Sequence, residues 1–449
     1  MIDSQPFALA GARVIDGTGK KAMEDTVVLV EGSRIVNVCQ REEIGGGGRY
    51  QIIDVAGKTI VPGLIDSHVH LGQLPLNRFG VEDPMSLFET FMKMFVAQGV
   101  TTVRDTGSPD LDNTFRLLKA GDPLWPRYYG SGPNLDGPPG GPHAGLRVVD
   151  TPDEARANTI DLIENGADFA KIYVWMTEEP LRAVVAAAHS RGKKVAAHVG
   201  NTLTAEAAVR LGVDALEHIR VGPELLTASQ QAEIDRLPRR AHDHLLSFRP
   251  WRYIDVGSDR TTALFDLFVE RGVHLTPTLV LARGALLNEE AHVRNPPGIE
   301  LMAEGVVRHW ESKAWIGDFS KEDWTFASRE WEQQLAFVGR AHEAGVKIVA
   351  GTDMPNPFIL PGYGLHEELA LLSEAGLSNH EVIRAATFRG AELLDVASDL
   401  GTIEKGKLAD LVITDGDPAS DLAVLREPWA VLKDGQVVAG TAAADLLAP

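Results

Sequence analysis

An apolar run, Val61-Pro62-Gly63-Leu64-Ile65-Asp66-Ser67-His68-Val69-His70, ends in two histidines one residue apart. In an extended strand residues i and i+2 face the same side, so His68 and His70 can turn both imidazoles toward one cation. Imidazole is a common ligand for zinc and its neighbours. Alone, His-x-His is a weak signal, equally consistent with two polar residues at a strand end. Four further residues strengthen it. Lys171 lies in Ala167-Asp168-Phe169-Ala170-Lys171-Ile172-Tyr173-Val174, among apolar neighbours that penalise an ammonium and lower its pKa. A neutral lysine reacts with carbon dioxide, and the carbamate formed is an anionic oxygen ligand able to bridge two cations. The plain alternative is a lysine that snorkels to solvent or pairs with an acid. His198 closes Lys194-Val195-Ala196-Ala197-His198, and His218 closes Asp214-Ala215-Leu216-Glu217-His218. Either could be a buried histidine bonded to backbone, but two at equivalent strand ends favour a site. Asp353 ends Val346-Lys347-Ile348-Val349-Ala350-Gly351-Thr352-Asp353, and Pro355 and Pro357 delay any helix after it. That favours a ligand or base over a helix N-cap.

The elements that must position these residues alternate between strand and helix, the pattern of a parallel sheet with crossover helices. Strands are expected near 60–67, 99–105, 127–131, 168–174, 194–198, 215–218, 273–278 and 346–352. This predicts an α/β fold, a (β/α)8 TIM barrel, whose active site lies at the carboxyl ends of the strands. Between them, 177–190 reads as a helix with Thr177 as N-cap, Glu178 and Glu179 at the positive end of its dipole and Pro180 in its first turn. Two β-rich segments bracket this core, with strands expected at 8–14, 26–30, 34–39 and 51–55, then at 411–415 and 430–438. Neither buries enough apolar surface alone, so residues 1–61 plus 400–449 are expected to form one small β-sandwich beside a barrel of residues 62–399. The long connection 284–330 carries Trp310, Trp315 and Trp324, with Trp331 just beyond, and is expected to be a helical lid or, nearly as well, a subunit contact.

Composition narrows the partners. Against 63 Asp and Glu there are 43 Lys and Arg, a net charge of -20 that disfavours a phosphate backbone and hence nucleic acid. Neither a basic leader followed by an apolar stretch nor a bilayer-length apolar run is present, which predicts a cytoplasmic protein without a membrane partner. The single cysteine, Cys39, excludes an internal disulfide and a thiolate metal cluster, and reads as a core filler. The expected partners are a small-molecule substrate and further copies of the chain in a homo-oligomer.

Together, His68-x-His70, Lys171, His198, His218 and Asp353, with Pro62-Gly63-Leu64-Ile65-Asp66 before them and Gly401-Thr402-Ile403-Glu404-Lys405-Gly406-Lys407-Leu408-Ala409-Asp410-Leu411-Val412 behind, resemble the amidohydrolase superfamily over nearly the whole chain. Gly351-Thr352-Asp353, Leu365-His366-Glu367-Glu368-Leu369 and Ala385-Ala386-Thr387 are similar to its imidazolonepropionase-like branch, which includes Xaa-Pro dipeptidases. The resemblance implies that His68, His70 and Asp353 hold one metal ion, His198 and His218 a second, and carboxylated Lys171 (N-carboxylysine, made with carbon dioxide) bridges them. Zinc is the first choice for both ions, with manganese and iron as alternatives. A hydroxide shared by the two ions, its pKa lowered from 15.7 to roughly 7 by coordination, would attack a carbonyl carbon. Asp353 would take its proton and pass it to the leaving nitrogen. The expected reaction is therefore amide C–N hydrolysis of a dipeptide, an N-acyl amino acid, or an aryl amide, urea or carbamate. A phosphotriesterase or lactonase would use the same centre, and a non-catalytic scaffold would be expected to lose these ligands.

Substrate contacts are expected from three residues. Tyr173, two positions beyond Lys171, points toward the same interior and could reach a substrate oxygen or hydrogen-bond a ligand. The glycine-rich segment 130–145 follows the third strand, and its glycines suggest mobility. Likeness to related loops makes its His143 a candidate, beside Arg220, two residues past His218.

Overall fold

The computed structural model describes residues 5–43, 49–71, 84–108, 113–141, 145–236, 248–312 and 319–443. His143 and Trp315 lie outside the described residues. The chain is α/β with parallel sheets. Strands Leu64–Val69, Val100–Asp105 and Arg127–Gly130 form a three-stranded parallel sheet. Strands Ala170–Ile172, Val195–Ala197, Ala215–Glu217, His274–Thr276 and Lys347–Ile348 follow in a seven-stranded parallel sheet that also takes in Leu135–Asp136 and Arg147–Val148. Backbone hydrogen bonds join the two sheets at both edges. Asp168 N–H donates to Gly130 O at 2.8 Å, and Ser67 N–H to Ala350 O at 3.0 Å.

Most of these strands are shorter than their sequence suggests, because the chain leaves extended geometry where the polar residues begin. His218, Thr278 and Asp353 take left-handed φ values of 63°, 48° and 65°. The run expected as one strand over 60–67 divides at Gly63, where a Cβ would stand 2.1 Å from Thr101 Oγ1. On one side Lys58–Pro62 enters a different sheet, and on the other Leu64–Val69 begins the parallel set.

That other sheet joins both ends of the chain. Phe7–Val14, Met23–Glu31, Arg34–Gln40, Gln51–Asp54 and Lys58–Pro62 combine with Leu411–Asp415, Ala430–Lys433 and Gln436–Ala439 in eight strands. The seam is antiparallel, with Val61 opposite Val412. The edge strand Arg34–Gln40 also returns to the later segment, Ile35 N–H donating to Lys407 O at 2.9 Å and Gly406 N–H to Ile35 O at 2.7 Å. Cys39 is buried with Ala8, Ala10, Val27 and Leu29, a core filler as expected.

Helix Glu178–His189 forms with Thr177 at its N-cap position, but the Thr177 side chain makes no capping bond. Its usual donor would be the third helical N–H, and that residue is Pro180, which has none. The connection 284–330 is helical over Ala291–Arg294, Glu304–Glu311 and the start of Lys321–Glu343. Trp310 packs against Phe358 at 5.5 Å, just beyond Asp353 in sequence, and Trp331 is buried. Part of the glycine-rich segment is tethered. Buried Asp136 accepts backbone N–H groups from Gly137 at 3.0 Å, Gly141 at 2.8 Å and Trp175 at 2.6 Å, tying this loop to the one after Ile172. Among the described residues, no helix is long and apolar enough to cross a membrane.

Candidate metal centre

The carboxylate of Asp353 is the meeting point. Its Oδ1 lies 2.9 Å from His70 Nε2 and 3.2 Å from His68 Nε2, and its Oδ2 lies 3.9 Å from His218 Nε2. Three strand ends supply these groups, and Gly351 lets two of them approach. A Cβ there would stand 2.6 Å from Thr276 Cγ2 and 2.9 Å from His68 Cβ. Among the described residues, ligating atoms of His68, His218 and Asp353 all lie within 4.8 Å of one another, a grouping that cuts across the two sets expected from the resemblance.

His198 stacks edge-on to His218 with centroids 4.5 Å apart, and Tyr173 sits 4.7 Å from His198 on its other side. Lys171 is 1 % exposed, and its Nζ, like His198 Nε2, has no hydrogen-bond partner among the described residues. An unpartnered buried polar atom costs about 1–3 kcal/mol, so two in one site mark a place built for something more than packing.

The electrostatics follow from burial and from the crowd of basic groups. Burial resists ionisation of Asp353, but His68 and His218 beside it hold its carboxyl well below the ordinary range. Burial pushes Lys171 down to about 8 and drives His198 and His218 well below the usual imidazole value. The last two are therefore neutral, the form that ligates. Burial alone would lower His70, yet Asp353 raises it. The Tyr173 phenol is raised by burial and stays protonated.

Behind these groups lies a layer that sequence reasoning missed. Glu217 Oε2 takes His68 Nδ1 at 2.6 Å, and Arg104 Nη1 donates to Glu217 Oε1 at 2.9 Å. Asp66 accepts from the Thr352 hydroxyl at 2.8 Å and its N–H at 3.1 Å, and burial pushes it up to about 7. His218 Nδ1 meets Thr278 Oγ1 at 2.7 Å. Glu217 and Asp66 were visible as acids inside apolar strands, where a charge needs a partner.

Arg220 makes no ion pair or hydrogen bond with a described residue. It faces a small pocket beside His218 lined by Phe248, Pro277, Leu281, Ala282 and Gln334. Gln334 is buried and its Nε2 is unpartnered.

Comparison with known proteins agrees with this architecture. The model of the Amidohydrolase family matches residues 59–443. The chain belongs to the amidohydrolase family and is a hydrolase. Among similar proteins, enamidase of Eubacterium barkeri is 28% identical over 250 residues, covering 50% of this chain and 58% of that one. A crystal structure of a Xaa-Pro dipeptidase with bound methionine superposes with a TM-score of 0.69 at 24% identity, covering 96% of this chain and 99% of that one. Aspergillus niger ochratoxinase superposes at 0.70 with 19% identity, covering 97% and 96%. These neighbours share the fold.

Proposed function

We propose that the chain is a metal-dependent hydrolase of amide C–N bonds in small carboxylate-bearing substrates. In this reading the parallel strands close as a (β/α)8 barrel over residues 62–399, and residues 1–61 plus 400–449 fold as a small sandwich against it. The observation that carries the proposal is the convergence of His68, His70 and His218 on Asp353, with Lys171 Nζ and His198 Nε2 buried and unpartnered beside them.

The donor set fits divalent cations. Four imidazoles and a carboxylate suit zinc, and a carboxylated Lys171 would give its otherwise orphaned nitrogen a function. His68, His70 and Asp353 would hold one ion and His198 and His218 the other, with Lys171 between them. Such ions supply Lewis acidity, lowering the pKa of water toward roughly 7 and polarising a carbonyl.

The remaining steps belong to the chain itself. Asp353, held ionised, accepts a proton at a carboxylate oxygen and returns it to the departing amide nitrogen. Arg220, which has no carboxylate partner among the described residues, binds one from the substrate. Phe248, Pro277, Leu281 and Ala282 receive an apolar group and exclude water. A cation facing this pocket favours a dipeptide or N-acyl amino acid over a neutral triester or lactone.

Metal analysis together with a hydrolysis screen of N-acyl amino acids, Xaa-Pro dipeptides, anilides, ureas and carbamates tests the proposal. Lys171→Ala is expected to abolish turnover and lower metal content. Full metal loading with normal turnover in that variant would remove the bridging role of Lys171.

A further inference from the structure

His218 can serve the proposed centre only if its Nε2 lone pair faces Asp353, and that requires the proton on Nδ1 to be held from behind. The group behind is Thr278 Oγ1, at 2.7 Å. Thr278 occupies the N-cap of helix Leu279–Leu286, where a threonine hydroxyl ordinarily accepts a helical N–H. Here it caps nothing, and its backbone is left-handed at φ 48° and ψ 51°. That conformation is costly for a β-branched residue and must be held by its surroundings.

Glu368 supplies what Thr278 withholds. It projects from helix Tyr363–Glu374 and is fully buried, and its Oε2 accepts the Val280 N–H at 2.8 Å. The Leu279 N–H also faces this carboxyl group and favours its charged form. The two side chains thus divide the work of one helix terminus. Glu368 satisfies the exposed N–H groups, and the freed Thr278 hydroxyl turns to the imidazole.

We propose that Glu368 is a positioning residue for the centre, acting through Thr278 to fix the orientation and tautomer of His218. The inference rests on the metal-centre reading above. It predicts that a neutral acceptor is enough at this position, since the N–H groups need an oxygen rather than a charge.

The test measures zinc affinity by competition with a chromophoric chelator in wild type, Glu368→Gln, Glu368→Ala, Thr278→Ala and the Glu368→Ala/Thr278→Ala double variant. A metal-independent readout comes from the histidine-selective ¹⁵N spectrum of the metal-free proteins, with His218 assigned through His218→Asn. Glu368→Gln is expected to hold zinc affinity within about threefold and to keep the Nδ1–H tautomer. Glu368→Ala and Thr278→Ala are expected to weaken zinc about 10–100-fold and to shift the His218 nitrogens. The double variant is expected to be no worse than the weaker single, the mark of two residues acting in one chain. A Glu368→Ala protein that melts earlier but keeps wild-type zinc affinity and ¹⁵N shifts would reduce Glu368 to a structural cap and overturn the proposal. Additive losses in the double variant would overturn it too. If wild type binds no zinc, the metal-centre reading falls, while the ¹⁵N shifts still decide whether Glu368 governs His218.

Discussion

Arg104 and Glu217 form a fully buried ion pair, with 2.9 Å between Nη1 and Oε1 and side-chain exposures of 2% and 0%. Burial works against a charged Glu217, yet Arg104, Lys171 and His68 together hold its carboxyl well below the ordinary range. Glu217 is therefore a fixed negative charge against His68 Nδ1, and the Nε2 of that ring is left toward Asp353. Glu217→Gln keeps the shape and removes the charge, and is expected to weaken metal binding about 10–100-fold, read by chelator titration. Glu217→Ala strands Arg104 without a partner and should also cost about 3–5 kcal/mol of stability in a denaturant titration.

Arg220 offers a test of the substrate class. A hydrogen bond to a charged group contributes about 1.5–3 kcal/mol, so Arg220→Met should lower kcat/KM on a carboxylate-bearing substrate about 10–100-fold, mainly through KM. The same substrate capped as a carboxamide should show little difference between the two proteins. Equal losses on both substrates would mean that Arg220 serves the pocket wall rather than the carboxylate.

His366 makes stability depend on pH in the mildly acidic range. It is buried with Nε2 2.9 Å from Gln98 O, and burial pushes it down to about 4. The unfolded chain takes up this proton near the ordinary value of 6.5, whereas the folded chain resists until about 4. Its contribution is therefore intact above 6.5 and lost as pH falls toward 4, about 3 kcal/mol in all. In thermal melts between pH 7 and 4.5, His366→Gln should lose less of its melting temperature than wild type does.

A second buried network braces the pocket. Arg252 bonds Glu330 at 2.6 Å and also pairs with Asp323, while Arg249 reaches Asp323 at 3.2 Å. This joins the turn that follows Phe248 to the helix that carries Gln334, two residues of the pocket beside His218. Arg252→Leu leaves Glu330 buried without its cation and should cost about 3–5 kcal/mol. Arg252→Leu/Glu330→Leu should recover most of that loss, which chemical denaturation can measure.

Much of this was legible in order of residues. His68, His70, His198, His218 and Asp353 each stand where an apolar run stops, a local cue that marks them as candidates. The pairing of Arg104 with Glu217 spans 113 residues and has no local signature. The diversion of the Thr278 hydroxyl depends on a left-handed backbone angle that a Leu-Thr-Pro-Thr string does not announce. Glycine count over 130–145 gave no sign of the buried carboxylate of Asp136, which ties Gly137 and Gly141 to Trp175.

The antiparallel seam between Lys58–Pro62 and Leu411–Asp415 links residues 357 positions apart, as Lys58 and Asp415 are. A ribosome must therefore release residues 411–415 before the strand leading directly into His68 finds this second neighbour. Until then that early strand exposes an unpaired flank, open to association with other nascent chains. Assembly of the candidate site is thus coupled to the synthesis of a segment more than three hundred residues downstream.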